Sequence, residues 1–127
     1  DTSAAEWLLP LARQHDVGVL NGSPMAHGLL TGQDPDVIAT QRPRGDFADL
    51  LPDSRVFYQW CLQQQIPMAA IIFHFCMDES LIDCTLTGAC TQSELEANLR
   101  AATMELPDEL WNQLAALDIN HYRGDEQ

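Results

Sequence analysis

The stretch GVLNGSPMAHGLLTG, residues 18–32, decides how this chain is organised. It continues an apolar run over 17–21, breaks at Gly22-Ser23-Pro24, and then carries two more glycines within ten residues. An ordinary surface turn needs one or two such residues, whereas a loop that lets another group approach its backbone needs more of them. We therefore expect a short buried strand over 17–21, followed by a loop whose backbone faces a ligand.

A second segment ends in the same way. Residues 83–87 alternate β-branched and apolar side chains and predict a strand, which Gly88 ends. Thr91-Gln92-Ser93-Glu94 forms a capping box, which predicts a helix with Leu95, Leu99 and Ala102 on one face. Ligands of parallel α/β folds bind at the carboxyl ends of strands, and the free amides of a helix N-terminus favour an anion. This segment is therefore either a phosphate site or an ordinary turn after a strand.

The rest of the chain predicts helices and one long loop. A capping box at 3–6 predicts a helix kinked at Pro10, whose core face consists of Trp7, Leu8, Leu11 and Ala12. Residues 22–53 are rich in Gly, Pro, Asp and Gln and predict a loop of about thirty residues, which is usually functional or mobile at that length.

Three further helices follow from apolar spacing. The first spans 54–65 and buries Val56, Phe57, Trp60 and Cys61. The second, 68–77, is apolar almost all round and therefore buried. The third begins at Pro107, ends near a polar tail at 121–127, and packs with Leu110, Trp111, Leu114 and Leu117.

Composition limits the class of protein. The 127 residues suit a single segment with one core, and a net charge of −13 repels the phosphates of nucleic acids. No apolar run is long enough for a membrane span, and the absence of Lys excludes Schiff-base chemistry by this chain alone. The spacing of the four cysteines predicts no metal site and favours reduced, mostly buried thiols in a cytoplasmic protein. We also expect no calcium site, because EF-hand spacing is lacking at Asp34, Asp36, Asp46, Asp49 and Asp53.

Strands separated by helices predict an α/β fold with parallel pairing. Two parallel strands do not form an independent sheet. Either further strands escape the pattern, or the chain belongs to something larger.

Four segments resemble the aldo-keto reductase family, in order and with compatible spacing. GVLNGSPMAHGLLTG resembles the family's seventh-strand segment, and TLTGACTQSELEANL (85–99) resembles its eighth. The apolar segment from Pro67 to Gly88 and ELPDELWNQLAAL (105–117) are similar to the helix before the last strand and the helix that closes the chain. The resemblance implies the C-terminal third of a (β/α)8 barrel, with strands seven and eight, nearest to the sugar and galactose dehydrogenase branch.

The resemblance also implies a nicotinamide cofactor, NAD or NADP, and a carbonyl or sugar substrate. Its implied binding residues are Ser23, Pro24, the Met25 backbone, His27, Gly88, Cys90, Glu94 and Asn98. Many members carry a nicotinamide-stacking aromatic where this chain has Gly22, and often Arg or Gln where it has Glu94. A carboxylate repels a 2′-phosphate, so NAD is slightly favoured.

No catalytic residue is expected in this chain. The family's Asp, Tyr, Lys and His come from earlier strands, while the two tyrosines here, Tyr58 and Tyr122, fall in a helix and in the tail. His74 is expected to be a hydrogen-bonded core residue, and His27 either a cofactor contact or a surface residue.

Two functions follow as hypotheses. The chain is the cofactor-binding part of an NAD(P)-dependent oxidoreductase and inactive alone, or it is a non-enzymatic barrel fragment used for interaction or assembly. In either case its exposed strand edges predict loose packing or self-association.

Overall fold

The computed structural model describes residues 3–45, 47–117 and 119, and these form a largely helical α/β chain with one small sheet. The elements in chain order are α1 (Ser3–Glu6), α2 (Leu8–Gln14), β1 (Leu20–Asn21), α3 (Pro35–Gln41), α4 (Phe47–Gln64), α5 (Met68–Asp78), β2 (Cys84–Thr85), α6 (Gln92–Ala102) and α7 (Glu109–Ala115). This confirms the α/β class. Within the described residues, no helix has the length and apolar character to cross a membrane.

The two strands pair in parallel, as the alternation of strands and helices predicts. Leu20 lies opposite Cys84, and Asn21 lies opposite Thr85. Asp83 fixes the start of the pair, because the Val19 amide donates to its Oδ2 at 2.7 Å while its own amide donates to the Val19 carbonyl at 3.0 Å. The strands are shorter than expected and β1 is not buried, since 67% of Leu20 is exposed.

The N-terminal helix differs from its predicted form. It breaks at Trp7 rather than bending at Pro10, because a proline clashes with the carbonyl four residues earlier, here that of Glu6. The core residue of this region is Leu9, whereas Trp7 is 62% exposed and Leu8 and Leu11 are also exposed. The predicted core face was therefore wrong.

The expected thirty-residue loop over 22–53 was also wrong. It contains a 3₁₀ turn at Ala26–Gly28, the whole of α3 and the first two turns of α4. Asp34 caps α3 by accepting a hydrogen bond from the Asp36 amide at 2.9 Å, and Pro35 occupies the first helical position. Asp-Pro was thus a helix-start signal that the loop prediction overlooked. Asp46 lies outside the described residues.

The core forms where α4, α5 and α7 meet. Phe57, Trp60 and Cys61 pack there against Met68, Ile71 and Leu110, with Trp111, Leu114 and Leu117 partly buried around them. This confirms the predicted faces of α4 and α7, except that Val56 is exposed.

The helix face predicted on α6 packs inward only at Ala102, because Leu95 and Leu99 are exposed. The buried residue of that helix is Ala101, which packs with Ala70 and Phe73 of α5. Phe75 and Met77 of α5 are exposed as well, so this helix is not buried all round. The polar tail at 121–127 lies outside the described residues.

The four thiols are free, as expected, but only half of them are buried. Cys61 and Cys76 lie in the interior, while Cys84 and Cys90 are exposed.

Candidate functional site

The parallel pair brings the two glycine-containing segments to one edge of the sheet. Asn21 and Thr85 are register partners, and the Leu86 amide donates to the Asn21 carbonyl at 2.8 Å. The chain therefore leaves β1 toward Gly22 and β2 toward Gly88 from the same edge. This is the edge at which parallel α/β folds bind their ligands.

The glycines of these segments fall into two kinds. Gly28 and Gly32 have φ of +108° and +92°, so the backbone itself requires glycine there. Gly22 and Gly88 do not have φ in the left-handed region, and a Cβ at either position would meet no heavy atom within 4 Å. Neither conformation nor packing demands glycine at 22 or 88, and both positions border open space beside the strand ends.

Residues 23–30 form a tight turn after β1. The Ala26 amide donates to the Ser23 carbonyl at 3.1 Å, with Pro24 and Met25 at the central positions. The Met25 carbonyl accepts hydrogen bonds from Gly28 and Leu30, at 2.9 and 3.1 Å. This turn leaves the Met25 carbonyl occupied by its own loop.

The side chains of this turn point to different surroundings. Met25 packs on the cluster of Ala70, Phe73 and Ala101, which joins the turn to α5 and α6. Ser23 is exposed, its φ is 56°, and no described residue hydrogen-bonds its hydroxyl. His27 is exposed, with φ of 55°. The Ser23 hydroxyl is therefore available to a ligand.

The start of α6 holds the predicted capping box. The Thr91 hydroxyl accepts from the Glu94 amide at 3.1 Å. In return, Glu94 Oε2 accepts from the amides of Cys90 and Thr91, at 2.6 and 3.3 Å. The two amides that lead into α6, those of Cys90 and Thr91, thus already bind a carboxylate of the chain itself.

Asn98 stabilises the loop that precedes α6. It is half-buried, and its Nδ2 donates to the Thr87 hydroxyl at 3.3 Å and to the Gly88 carbonyl at 3.4 Å. These bonds span ten and eleven residues and hold Gly88 against the second turn of the helix.

Asn21 is a feature of this edge that the sequence analysis missed. Its Nδ2 donates to the Thr85 hydroxyl at 3.5 Å. Burial raises the pKa of the Cys76 thiol on α5, while the nearby Asn21 side chain acts in the opposite direction. The signal was present, because asparagine is uncommon at the end of a strand-like run.

Other reactive side chains lie elsewhere in the fold. Tyr58 is half-buried on α4 and lines a cavity of about 250 Å³ next to Thr31 and Gly32, and Tyr122 lies outside the described residues. His74 was expected to be hydrogen-bonded, but its buried Nε2 has no partner. In the described part of the chain, no three His, Cys, Asp or Glu side chains are grouped as metal ligands.

The fold is that of an α/β protein with parallel strands, a class whose ligands bind at the carboxyl ends of the strands. The sequence model of the aldo/keto reductase family matches residues 2–119, so the chain belongs to that family, as its segments predicted. It is also similar to the D-threo-aldose 1-dehydrogenase of a Pseudomonas species, with 26% identity over 113 residues. That match, to a sugar dehydrogenase, covers 88% of this chain and 34% of the relative, so the chain spans about a third of the relative's length.

Proposed function

We propose that this chain supplies the cofactor-binding part of an NAD(P)-dependent oxidoreductase that oxidises a sugar or reduces a carbonyl compound. The observation that carries this proposal is the pair Gly22 and Gly88, which flank one sheet edge and leave open space that no fold constraint explains. Membership of the aldo/keto reductase family supports the reaction class. When bound, the nicotinamide would supply the hydride chemistry.

The residues of this edge suit the two ends of such a cofactor. In our proposal, Ser23, Pro24, the Met25 backbone and His27 contact the pyrophosphate side of the cofactor, with the free Ser23 hydroxyl as the donor. Gly88, Cys90, Glu94 and Asn98 face the adenosine end.

We infer a preference for NAD over NADP from Glu94. In this proposal a 2′-phosphate would approach the amides of Cys90 and Thr91, which the Glu94 carboxylate already occupies. That carboxylate also places a negative charge there, and two unit charges 4 Å apart repel by about 1 kcal/mol even in water. NADP would have to displace this carboxylate, whereas NAD would not.

Glu94→Gln tests this preference. Glutamine also completes a capping box, so the helix start is retained while the charge is lost. We expect the ratio of the NADP Kd to the NAD Kd to fall about five- to tenfold, the equivalent of roughly 1 to 1.4 kcal/mol. Glu96→Gln is the matched control, since this residue is exposed on the same helix and bonds Gln92 rather than backbone amides. An unchanged ratio in Glu94→Gln would show that this carboxylate does not select the cofactor.

Nucleotide titration followed by NMR tests the proposal as a whole. With ¹⁵N-labelled chain, NAD is expected to shift the amides of 22–27 and 88–98 and to leave those of α3 unmoved. We also expect no turnover of NADH with aldehydes or of NAD with aldoses, because the chain has no Lys and, in our proposal, the catalytic groups come from elsewhere. Turnover by this chain alone would refute the claim that its catalytic groups come from elsewhere, and unshifted amides would refute cofactor binding.

A role in assembly is the second candidate, and one surface favours it. The side chains of Leu20, Cys84 and Leu86 share the sheet face opposite Asn21 and Thr85, and all three are exposed. Sedimentation velocity over a range of protein concentrations measures self-association through this surface. This role predicts association that Leu20→Ser weakens, with Leu62→Ser, on exposed α4 surface, as the control. A chain that stays monomeric at all concentrations would exclude self-assembly.

A further inference from the structure

The carboxyl end of β1 carries a residue that strand chemistry alone does not explain. Asn21 is half-buried, at a position where a β-branched or aliphatic side chain has the higher strand propensity. An asparagine here must satisfy its carboxamide or lose free energy, so its partners indicate why it is tolerated.

Those partners lie on the neighbouring strand and just beyond it. The amide nitrogen donates to the hydroxyl of Thr85 on β2 at 3.5 Å. The Asn21 carbonyl accepts from Leu86, the first residue beyond β2. One residue therefore joins both strands, at the last position before Gly22.

The sheet needs this support at its carboxyl end. Each strand has two residues, and so short a pair is not stable alone. Asp83 fixes the amino end through Val19, but it is two register positions from the edge where Gly22 and Gly88 begin. Without Asn21, the loops after the strands would separate more easily.

We propose that Asn21 is a positioning residue for the nucleotide site, holding the two strand ends together so that Gly22 and Gly88 border one shared space. This inference rests on the proposed function for its ligand, but the positioning itself is a property of the unliganded chain. Asn21 does not contact the nucleotide; it acts through Thr85 and Leu86.

Two isosteric variants and their double mutant test the proposal. Asn21→Leu removes the carboxamide and keeps the backbone bond, while Thr85→Val removes the acceptor hydroxyl. We expect each to raise the NAD Kd about three- to tenfold, and the double mutant to resemble a single one because both changes break the same contact. Thr40→Val is the control, since Thr40 bonds the Asp36 carbonyl on the exposed surface of α3.

Amide hydrogen exchange provides a second measurement that needs no ligand. In Asn21→Leu, the Leu86 amide is expected to exchange at least tenfold faster, while the amides of α5 are unchanged. An unchanged Leu86 exchange rate, or an NAD Kd equal to that of the parent, would overturn the positioning role. If the parent itself shows no NAD shifts, the proposed function fails, and the Leu86 exchange rate still decides whether Asn21 holds the strand ends.

Discussion

Replacing Gly88 with alanine tests whether glycine is required at this position by the fold or by a ligand. A Cβ at this position has no heavy atom within 4 Å, and the backbone does not have φ in the left-handed region. The methyl group therefore costs nothing in the folded chain and reduces the entropy of the unfolded one. We expect Gly88→Ala to raise the free energy of unfolding by about 0.4–1 kcal/mol.

The expected effect on nucleotide binding is opposite in sign. If the cofactor lies against this backbone, the methyl group occupies ligand space, and such overpacking costs about 1–3 kcal/mol. The NAD Kd should therefore rise about five- to 150-fold. Gly45→Ala is the matched control, because a Cβ there also meets nothing within 4 Å, yet Gly45 lies in the exposed turn before α4.

Urea unfolding and NAD titration on the three proteins give both quantities. Both variants are expected to gain similar stability, and only Gly88→Ala is expected to lose affinity for NAD. If Gly88→Ala bound NAD as tightly as the parent, the open space beside β2 would not be ligand space. If it unfolded more easily than the parent, the assumption that the fold tolerates a side chain there would fail.

Three further predictions concern titration and burial. Burial raises the pKa of Cys61 to about 12 from an ordinary value of 9.0, so above pH 9 the unfolded chain loses this proton first and stability falls with rising pH. Urea unfolding at pH 8 and pH 10 should show that this loss of stability is about 1.4 kcal/mol smaller in Cys61→Val than in the parent. His74→Leu deletes a buried nitrogen that has no partner and should raise the free energy of unfolding by about 1 kcal/mol in the same assay. His15→Leu, at an exposed position, is the control and should be nearly neutral. Destabilisation by His74→Leu would reveal a partner for that nitrogen. A thiol reagent should label Cys84 and Cys90 rapidly and the two buried thiols only on unfolding, and equal rates for all four would contradict the described packing.

The elements that could be predicted are those whose signals come from residues close together in the sequence. The capping box at Thr91 and Glu94 formed as expected, because its hydrogen bonds join residues three apart. The core faces of α4 and α7 followed from spacing, and the parallel pairing followed from the order of strands and helices.

The failures arose where several signals competed. The many Gly and Pro residues between 22 and 53 predicted a loop, although Asp34-Pro35 is a helix start. Pro10 predicted a kink at its own position, but the helix breaks about one turn earlier, at Trp7. The periodicity of Leu95 and Leu99 was correct, but periodicity cannot show which helix face has a partner to pack against.

The candidate site was predicted in part for the same reason. Ser23, Gly88 and Glu94 could be proposed from motifs, and the parallel pair brings their segments to one edge. Asparagine at the end of a strand-like run was a signal for Asn21, but its partner could not be proposed, because the bond to Thr85 connects residues 64 positions apart. Such a contact depends on the folded arrangement of β1 and β2.

That separation also determines when this edge can form during folding. Closing a flexible loop of 64 residues costs about 4 kcal/mol of entropy, similar to the net value of the few backbone hydrogen bonds that join β1 to β2. We therefore expect the strands to pair after α4 and α5 have shortened the distance between them. The edge that carries Gly22 and Gly88 is expected to form after the helical core and to open before it.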